Sequence, residues 1–108
     1  MGVILKVLVA VHSTAVMNSL IGLVSEITGI TTIGYATSFQ DTVSLMSIGA
    51  PDLLILEVRL RESSGLDVLG HIKENVPACR VIMITSNPYA EYRSACLGFG
   101  ADFFFNID

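Results

Sequence analysis

One apolar run of this sequence ends abruptly on a carboxylate. Four consecutive apolar residues, 53–56, follow Pro51 by two positions and lead directly into Glu57. An apolar run of this length, opened by a proline, is typical of a short strand that is buried on both faces. Because burying an unpaired charge is costly, we expect Glu57 to lie at the water-accessible end of that strand and to have a partner or a task.

Three other apolar runs also end next to groups that can do chemistry. The run 5–11 is followed by His12, the run 80–85 ends on Thr85, and the run 102–107 ends on Asn106 and Ile107. In open parallel sheets, ligands bind outside the carboxyl ends of the strands, at the point where the strand order reverses. The strand ends are therefore the candidate site, although no nucleophile–base–acid set that would make a catalytic centre is visible among them.

Helical patterns separate these strands along the chain. The sequence predicts strands over 5–11, 30–36, 52–58, 80–85 and 102–107, and helices over 13–28, 38–49, 64–75 and 87–98. Cap residues support the helix starts, namely Ser13 with Thr14, Ser38 with Asp41, Ser64 with Asp67, and Asn87 before Pro88; glycines 29, 49 and 98 support three of the ends. Regular alternation of this kind predicts a parallel sheet with helices on both faces, in one α/β domain over 1–108.

The predicted pattern stops at its fifth strand. A fifth helix would cover one side of that strand, so without it the apolar residues Phe103, Phe104 and Phe105 would be left uncovered. Because an uncovered patch of this size usually has a partner, we expect either a fragment of a longer chain or a second chain over the gap.

Composition excludes several classes of protein. The chain has 108 residues, of which 52% are hydrophobic and 15% charged, so it can pack a core and is not a disordered segment. Its net charge is −4 and it has no run of lysines or arginines, which argues against a nucleic-acid surface. The two cysteines, Cys79 and Cys96, fit no metal-ligand spacing, and we expect buried, reduced thiols in a cytoplasmic protein.

The uncharged stretch 7–24 has almost the length of a membrane span, and Lys6 before it also allows a signal peptide. Polar residues, among them His12 and Asn18, interrupt its middle, and a span would place them in lipid. A strand followed by a helix accounts for the same residues better.

Five stretches together resemble a known family. They are VLVAVHS at the first strand, PDLLILEVRL, SGLDVL at the third helix, VIMITS at the fourth strand and GADFFF at the fifth. Over its whole length the chain resembles a response-regulator receiver domain of two-component signalling. The resemblance implies a flavodoxin-like, doubly wound sheet of five parallel strands in the order 2-1-3-4-5, here with its fifth helix missing.

The same resemblance implies a phosphorylation site whose chemistry is altered in this sequence. Receivers have an acidic pair after the first strand that holds Mg²⁺, an acceptor aspartate, a serine or threonine, and a lysine. Here Val11 and His12 stand at the acidic pair, Glu57 at the acceptor and Ile107 at the lysine, whereas Thr85 is retained. Since valine has no donor atom and Mg²⁺ prefers carboxylate oxygens, we expect magnesium binding and phosphorylation to be lost, leaving no cofactor, no metal and no enzymatic activity.

Two interpretations of Glu57 remain open at this stage. Its carboxylate either mimics a phosphoryl group and holds Thr85 inward, or forms an ion pair with His12 or Arg59 that avoids a desolvation cost. A His12–Glu57 pair would raise the pKa of the histidine, which adds a pH-sensing variant of the second interpretation.

Aromatic residues predict a surface for a protein partner. Phe104 matches the switch aromatic of the family, or is simply a fixed core ring. Tyr89, Tyr92, Phe103 and Phe105 are candidates for a surface formed by the fourth helix and the fifth strand. We expect a non-enzymatic pseudo-receiver that contacts a partner or output domain, or a second copy of itself, and has no direct contact with nucleic acid or membrane.

Two alternative functions stay in view. A nucleotide or small-molecule binder would use the hydroxyls of residues 12–19 at the start of the first helix, although this stretch lacks the glycines of a phosphate loop. The other alternative is a receiver that is still phosphorylated within a phosphorelay.

Overall fold

The sheet and its helices alternate along the chain as the sequence predicts. The computed structural model describes residues 5–86 and 91–107. Its elements are β1 (Leu5–Ala10), α1 (Thr14–Ser25), β2 (Ile30–Ala36), α2 (Phe39–Gly49), β3 (Leu53–Glu57), β4 (Arg59–Leu60), β5 (Ser63–Ser64), α3 (Gly65–Asn75), β6 (Arg80–Thr85), α4 (Glu91–Gly98) and β7 (Phe103–Asn106).

Five of the strands form one parallel sheet in the order β2-β1-β3-β6-β7. Apart from the short β4–β5 hairpin, this is the predicted order 2-1-3-4-5, and the predicted fold class is confirmed. The strand order reverses between β1 and β3. In the register, Ala10 lies opposite Leu56, Glu57 opposite Ile84 and Thr85 opposite Asn106, so the carboxyl ends meet at one edge of the sheet.

The predicted boundaries are mostly right to within one residue. The first helix is the exception, because it ends at Ser25 and not at residue 28. The N–H groups of Glu26 and Ile27 turn back to the carbonyls of Leu23 and Val24, which tightens the last turn, and Gly29 then takes a φ of 90°. Asn87 and Pro88, the predicted start of the fourth helix, lie outside the described residues.

Three serines cap the helices as predicted. The Oγ atoms of Ser13, Ser38 and Ser64 accept the N–H groups of Val16, Asp41 and Leu66, respectively. Each bond satisfies one of the N-terminal donors that a helix cannot satisfy internally. The caps fix where α1, α2 and α3 begin, immediately beyond the carboxyl ends of β1, β2 and β3.

The two faces of the sheet are covered unequally. Helices α2, α3 and α4 pack on one face, around a large core cluster that includes Leu54, Leu69 and Met83. In the described part of the chain, the opposite face is covered by α1 alone, over a smaller cluster that includes Val9 and Ile55. The predicted exposure of three phenylalanines is therefore wrong for Phe104, which is buried beneath the three-helix face, and right for Phe103 and Phe105.

Both thiols are buried, and neither forms a disulfide. Burial raises the pKa of the Cys79 thiol to about 11 and also raises the pKa of Cys96, so both are poor nucleophiles near neutral pH. Within residues 5–86 and 91–107, no helix combines the length and apolar character needed to cross a membrane.

Candidate functional site

The carboxyl edge of the sheet opens into a cleft of about 760 Å³. It is lined by His12, Ser13, Glu57, Val58, Arg59, Ser63, Ser64, Thr85, Ser86 and Tyr92. The residues come from the loops after β1, β3 and β6, from the β4–β5 hairpin and from α4. The structure thus brings together three of the residues that the sequence singled out at strand ends, His12, Glu57 and Thr85.

The Glu57 carboxylate is held by backbone amides. Its Oε1 atom accepts the N–H of His12 at 2.7 Å and that of Ser13 at 3.4 Å. The residue is only 6% exposed, so the prediction of a water-accessible position is wrong, although the side chain does border the cleft. A buried carboxylate needs hydrogen-bond donors, and the loop that leads into α1 supplies them without a charged partner.

The predicted hydrogen bond between His12 and Glu57 is present, but the main chain of His12 makes it and the pair is not ionic. His12 donates its main-chain N–H to the carboxylate, and its imidazole is exposed and forms no ion pair with it. Arg59 is exposed as well, and the ion pairs among the described residues join Lys73 and Arg80 to Asp102 only. The contact depends on the path of the backbone after β1 and does not use the imidazole of His12.

The hairpin 59–64 forms the other wall of the cleft, and the sequence analysis did not predict it. Arg61 donates its N–H to Thr37 O, and Gly65 donates its N–H to Val58 O at 2.7 Å, which folds the loop back onto the end of β3. A Cβ atom at position 65 would overlap the backbone carbonyl of Glu57, so only glycine fits there. Gly65 therefore lets α3 begin directly beside the strand end that carries Glu57.

The other predicted site residues fall into different environments. Val11 is fully buried, Thr85 is 4% exposed, and Phe104 packs in the large core cluster. Ile107 is partly exposed and lies in a separate groove with α1.

The structure does not bring the predicted partner surface together on one face. Tyr92 packs against the three-helix side, and Tyr89 lies outside the described residues. Successive side chains of a strand alternate between faces. Phe103 and Phe105 consequently point away from the side on which Phe104 and Tyr92 pack, over the strand positions of Ile82 and Ile84.

Arg59, Ser63 and Ser86 also line the cleft. The strand-end rule predicts Ser86 together with Thr85, whereas Arg59 was predicted only as a possible ion-pair partner of Glu57. Arg59 and Ser63 lie in the hairpin, whose geometry depends on Gly65. One glycine in the sequence does not by itself predict such a hairpin.

A sequence profile of the response regulator receiver domain matches residues 7–106. The chain belongs to the response regulator receiver family. The match covers nearly the whole chain, including the strand ends that line the cleft. No curated protein sequence gives a significant match.

Solved structures agree with this assignment at the level of the fold. The signal receiver domain of the putative response regulator NarL from Mycobacterium tuberculosis superposes with a TM-score of 0.89 at 19% identity, over 98% of this chain and 86% of that one. For the response regulator domain of Thermotoga maritima CheB the TM-score is 0.86 at 21% identity, over 95% and 78%. A LuxR-family DNA-binding response regulator from Staphylococcus aureus superposes with a TM-score of 0.88 at 16% identity, over 95% of this chain and 86% of that one.

Receiver domains of two-component systems pair with output domains or partner proteins. The superposed structures include a regulator whose description names DNA binding and an isolated receiver domain of another regulator. The general role of this chain is therefore that of a receiver domain in two-component signalling.

Proposed function

We propose that this receiver domain signals through protein contacts and does not accept a phosphoryl group. The observation that carries the proposal is the state of Glu57, whose carboxylate stands at the acceptor position with Oε1 bound to the amides of His12 and Ser13. A carboxylate that must attack a phosphorus atom has to reach it within the cleft. Here the longer glutamate side chain is turned toward the β1–α1 loop and is stabilised there.

The donor set at the cleft does not fit Mg²⁺. Val11 is fully buried and has no donor atom, and the His12 imidazole suits zinc or copper better than magnesium. In the part of the chain that the structure describes, no three His, Cys, Asp or Glu side chains converge on one point.

The charge that would offset a phosphoryl group is also missing. The family's lysine position is occupied by Ile107, which lines a groove against Val16 and Leu20 of α1 and does not line the cleft. The cleft does have one arginine, Arg59, but its guanidinium lies at the exposed outer wall. An incoming phosphoryl group would meet the Glu57 charge with neither metal nor lysine to balance it.

We assign Glu57 a positional role in this mechanism. It links the end of β3 to the start of α1 and so fixes the loop that in phosphorylated receivers carries the acidic pair. Its single charge is a partial imitation of a phosphoryl group, which carries nearly two. The domain would then hold one conformation without input from a kinase, and its state would be read by a partner.

The geometry weighs against a nucleotide binder. Such a ligand would place a phosphate on the free amides at the start of α1. Two of the amides preceding that helix already donate to a carboxylate. We further propose a cytoplasmic, non-enzymatic domain whose partner is an output domain or another protein and which has no nucleic-acid contact of its own.

The test is the intact mass after incubation with acetyl phosphate and Mg²⁺. Attack of a side-chain carboxylate on the phosphorus atom of acetyl phosphate would add one phosphoryl group to the chain and release acetate. We expect no gain for the native chain. We expect a gain for the variant Val11→Asp, His12→Asp, Glu57→Asp, Ile107→Lys, which restores the family's residues.

Val11 is buried, so a second variant without Val11→Asp guards against loss of the fold, and circular dichroism checks both. Phosphorylation of the native chain would refute the proposal. If neither folded variant gains mass, the loss of phosphorylation does not lie in these four positions, and our explanation of it is wrong.

A further inference from the structure

The cleft at the carboxyl edge of the sheet presents two opposite charges that are not paired with each other. Glu57 lines the cleft and is only 6% exposed, whereas Arg59 lines it and is exposed. Among residues 5–86 and 91–107, the ion pairs join Lys73 and Arg80 to Asp102 and include neither of these two residues. A ligand that enters the cleft therefore meets a negative charge at its buried side and a positive charge at its exposed side.

The Glu57 carboxylate can accept more than its two backbone hydrogen bonds. Its Oε1 atom accepts the N–H groups of His12 and Ser13, but an ionised carboxylate has about four lone-pair sites on its two oxygens. A buried carboxylate without a cation also keeps part of its desolvation cost, since neutral amides offset this cost less than an opposite charge does. An ammonium group that approaches Glu57 from the cleft would offset the remainder.

Backbone hydrogen bonds fix the spacing between the two charged residues. Val58 lies between them; its N–H donates to Ile84 O at 2.9 Å, and its carbonyl accepts the N–H of Gly65 at 2.7 Å. Because two residues of chain span at most roughly 7 Å, the Cα atoms of Glu57 and Arg59 are no farther apart than that. A short ligand with a charge at each end can therefore contact both side chains.

The rest of the lining suits the uncharged middle of such a ligand. Val58 and Tyr92 contribute apolar surface, and Ser63 and Ser86 contribute hydroxyl groups that can hydrogen-bond polar atoms. The cleft volume of about 760 Å³ lies within the roughly 300–1,000 Å³ that is usual for small-molecule pockets. The cleft thus has both the size and the mixed lining of a small-molecule site.

We propose that the cleft binds a small zwitterion, with a primary ammonium group at Glu57 and a carboxylate at Arg59. A guanidinium pairs with a carboxylate through two parallel hydrogen bonds, which favours a carboxylate over a spherical anion at Arg59. The opposite charges of the ligand cancel, as do those of Glu57 and Arg59, so binding brings no net charge into the cleft. A phosphate group at the same place would add nearly two negative charges beside Glu57.

Such a ligand would give this receiver domain an input that does not depend on a kinase. Glu57 links the end of β3 to the loop before α1, so an ammonium bound to Glu57 would act on that loop through the His12 and Ser13 amides. Glu57 must remain unphosphorylated to bind the ammonium, and in this respect the zwitterion site rests on the proposed function.

The experiment is a titration of the isotopically labelled native chain with δ-aminovalerate, followed by two-dimensional NMR at about pH 7.5, where an exposed histidine is mostly neutral. Pentylamine and valerate, which each have one of the two charges of δ-aminovalerate, are titrated alongside at equal ionic strength. The amide signals of His12 and Ser13 report on the site. The Val81 amide, which donates to Asp102 at the opposite end of the sheet, is the internal control.

Four substitutions test the two protein charges. Glu57→Gln and Arg59→Gln each remove one charge from the site. Glu62→Gln and Arg61→Gln are their matched controls, because both residues are exposed in the same hairpin and do not line the cleft. The NMR spectrum of each variant verifies its fold, and Arg59→Gln alone decides the outcome if Glu57→Gln does not fold.

We expect saturable shifts of the His12 and Ser13 signals with δ-aminovalerate in the millimolar range, and no shift of the Val81 signal. Glu57→Gln and Arg59→Gln should each raise the dissociation constant roughly tenfold or more, since each removes one charge-assisted contact. Pentylamine and valerate should bind the native chain more weakly by a similar factor for the same reason.

The control variants Glu62→Gln and Arg61→Gln should leave the dissociation constant unchanged. An absence of saturable shifts in the native chain, an equal affinity for pentylamine, or no effect of Arg59→Gln would overturn the proposal. The titration contains neither acetyl phosphate nor Mg²⁺, so its failure would leave the proposed function standing, whereas phosphorylation of the native chain would refute that function by itself.

Discussion

Each end of this sheet is stabilised by a different carboxylate, and the two carboxylates use different kinds of partner. At the amino-terminal end of β7, Asp102 Oδ2 lies 2.7 Å from Lys73 Nζ and accepts the N–H of Val81 at 2.8 Å. Arg80 adds a longer contact of 3.6 Å to Oδ1. At the carboxyl end of β3, Glu57 accepts two main-chain amides and, among the described residues, has no cation within ion-pair distance.

The difference teaches how charge is used in this domain. Asp102 connects α3 to β6 and β7 through full charges, so its contribution should respond to pH and salt. Glu57 connects β3 to the β1–α1 loop through neutral donors, so its contribution depends on the backbone path around it. Single substitutions at each connection separate the two contributions.

The substitution Gly65→Ala should have the largest effect, because it attacks the backbone path on which Glu57 depends. The new Cβ would overlap the Glu57 carbonyl and push the hairpin away from β3. We expect the free energy of unfolding, measured in urea, to fall by about 3 kcal/mol.

Gly70→Ala is the matched control for that measurement. Gly70 lies within α3, and a Cβ there meets no atom within 4 Å. Since alanine has a higher helix propensity than glycine, the free energy of unfolding of this variant should rise by up to about 1 kcal/mol. Equal losses in the two variants would show that the cleft wall does not require a glycine.

Removal of the charged connection by Asp102→Ala should lower the free energy of unfolding by about 2 kcal/mol, because the Val81 N–H loses the Asp102 carboxylate and the mostly buried Lys73 ammonium keeps only the Cys79 carbonyl. The measurement is again urea unfolding. Glu74→Ala serves as the control, since Glu74 is an exposed acid on α3, next to Lys73, and its loss should change the free energy of unfolding only slightly. If both variants lose the same amount, the Asp102 contacts contribute nothing specific.

Glu57→Gln should lower the free energy of unfolding by about 1 kcal/mol, which is less than the loss expected for Asp102→Ala. The amide oxygen still accepts the His12 N–H, but a hydrogen bond to a neutral acceptor is weaker than one to a carboxylate. Glu62→Gln, in the exposed hairpin, is the control for loss of one charge. A gain in stability for Glu57→Gln would mean that the buried charge is a net liability and that another force positions the loop.

The sequence predicted the features that depend on local chemistry. Ser13, Ser38 and Ser64 cap helices because a hydroxyl reaches an amide two or three residues away. The alternation of apolar runs and caps was sufficient for the sheet, and the family resemblance supplied its order. The caps and the alternation follow from patterns that are visible in the sequence without a structure, whereas the strand order came from the resemblance alone.

The sequence could not predict contacts made by the main chain across long separations. The Glu57 partners are amides 45 and 44 residues away, and no residue type signals a backbone donor. The ion-pair prediction was wrong for this reason, since it considered side chains alone. Likewise, the separation of Tyr92 from Phe103 and Phe105 depends on which face each strand residue points to, and a continuous run of phenylalanines conceals that alternation.

The smallest expected effect is a pH dependence that belongs to Asp102. Burial alone would raise the pKa of this carboxyl, but hydrogen bonds from Lys73 and Val81, with the charges of Lys73 and Arg80, outweigh it and hold the pKa below its usual value of 3.8. A lowered folded-state pKa stabilises the fold above the unfolded-state value, and this stabilisation is lost as the pH falls through the folded-state value. The stability difference between the native chain and Asp102→Asn should therefore be constant from neutral pH down to about 5 and narrow below 4. A difference that stays constant to pH 3 would mean that the charge of Asp102 adds nothing beyond the hydrogen bond its oxygen accepts from Val81.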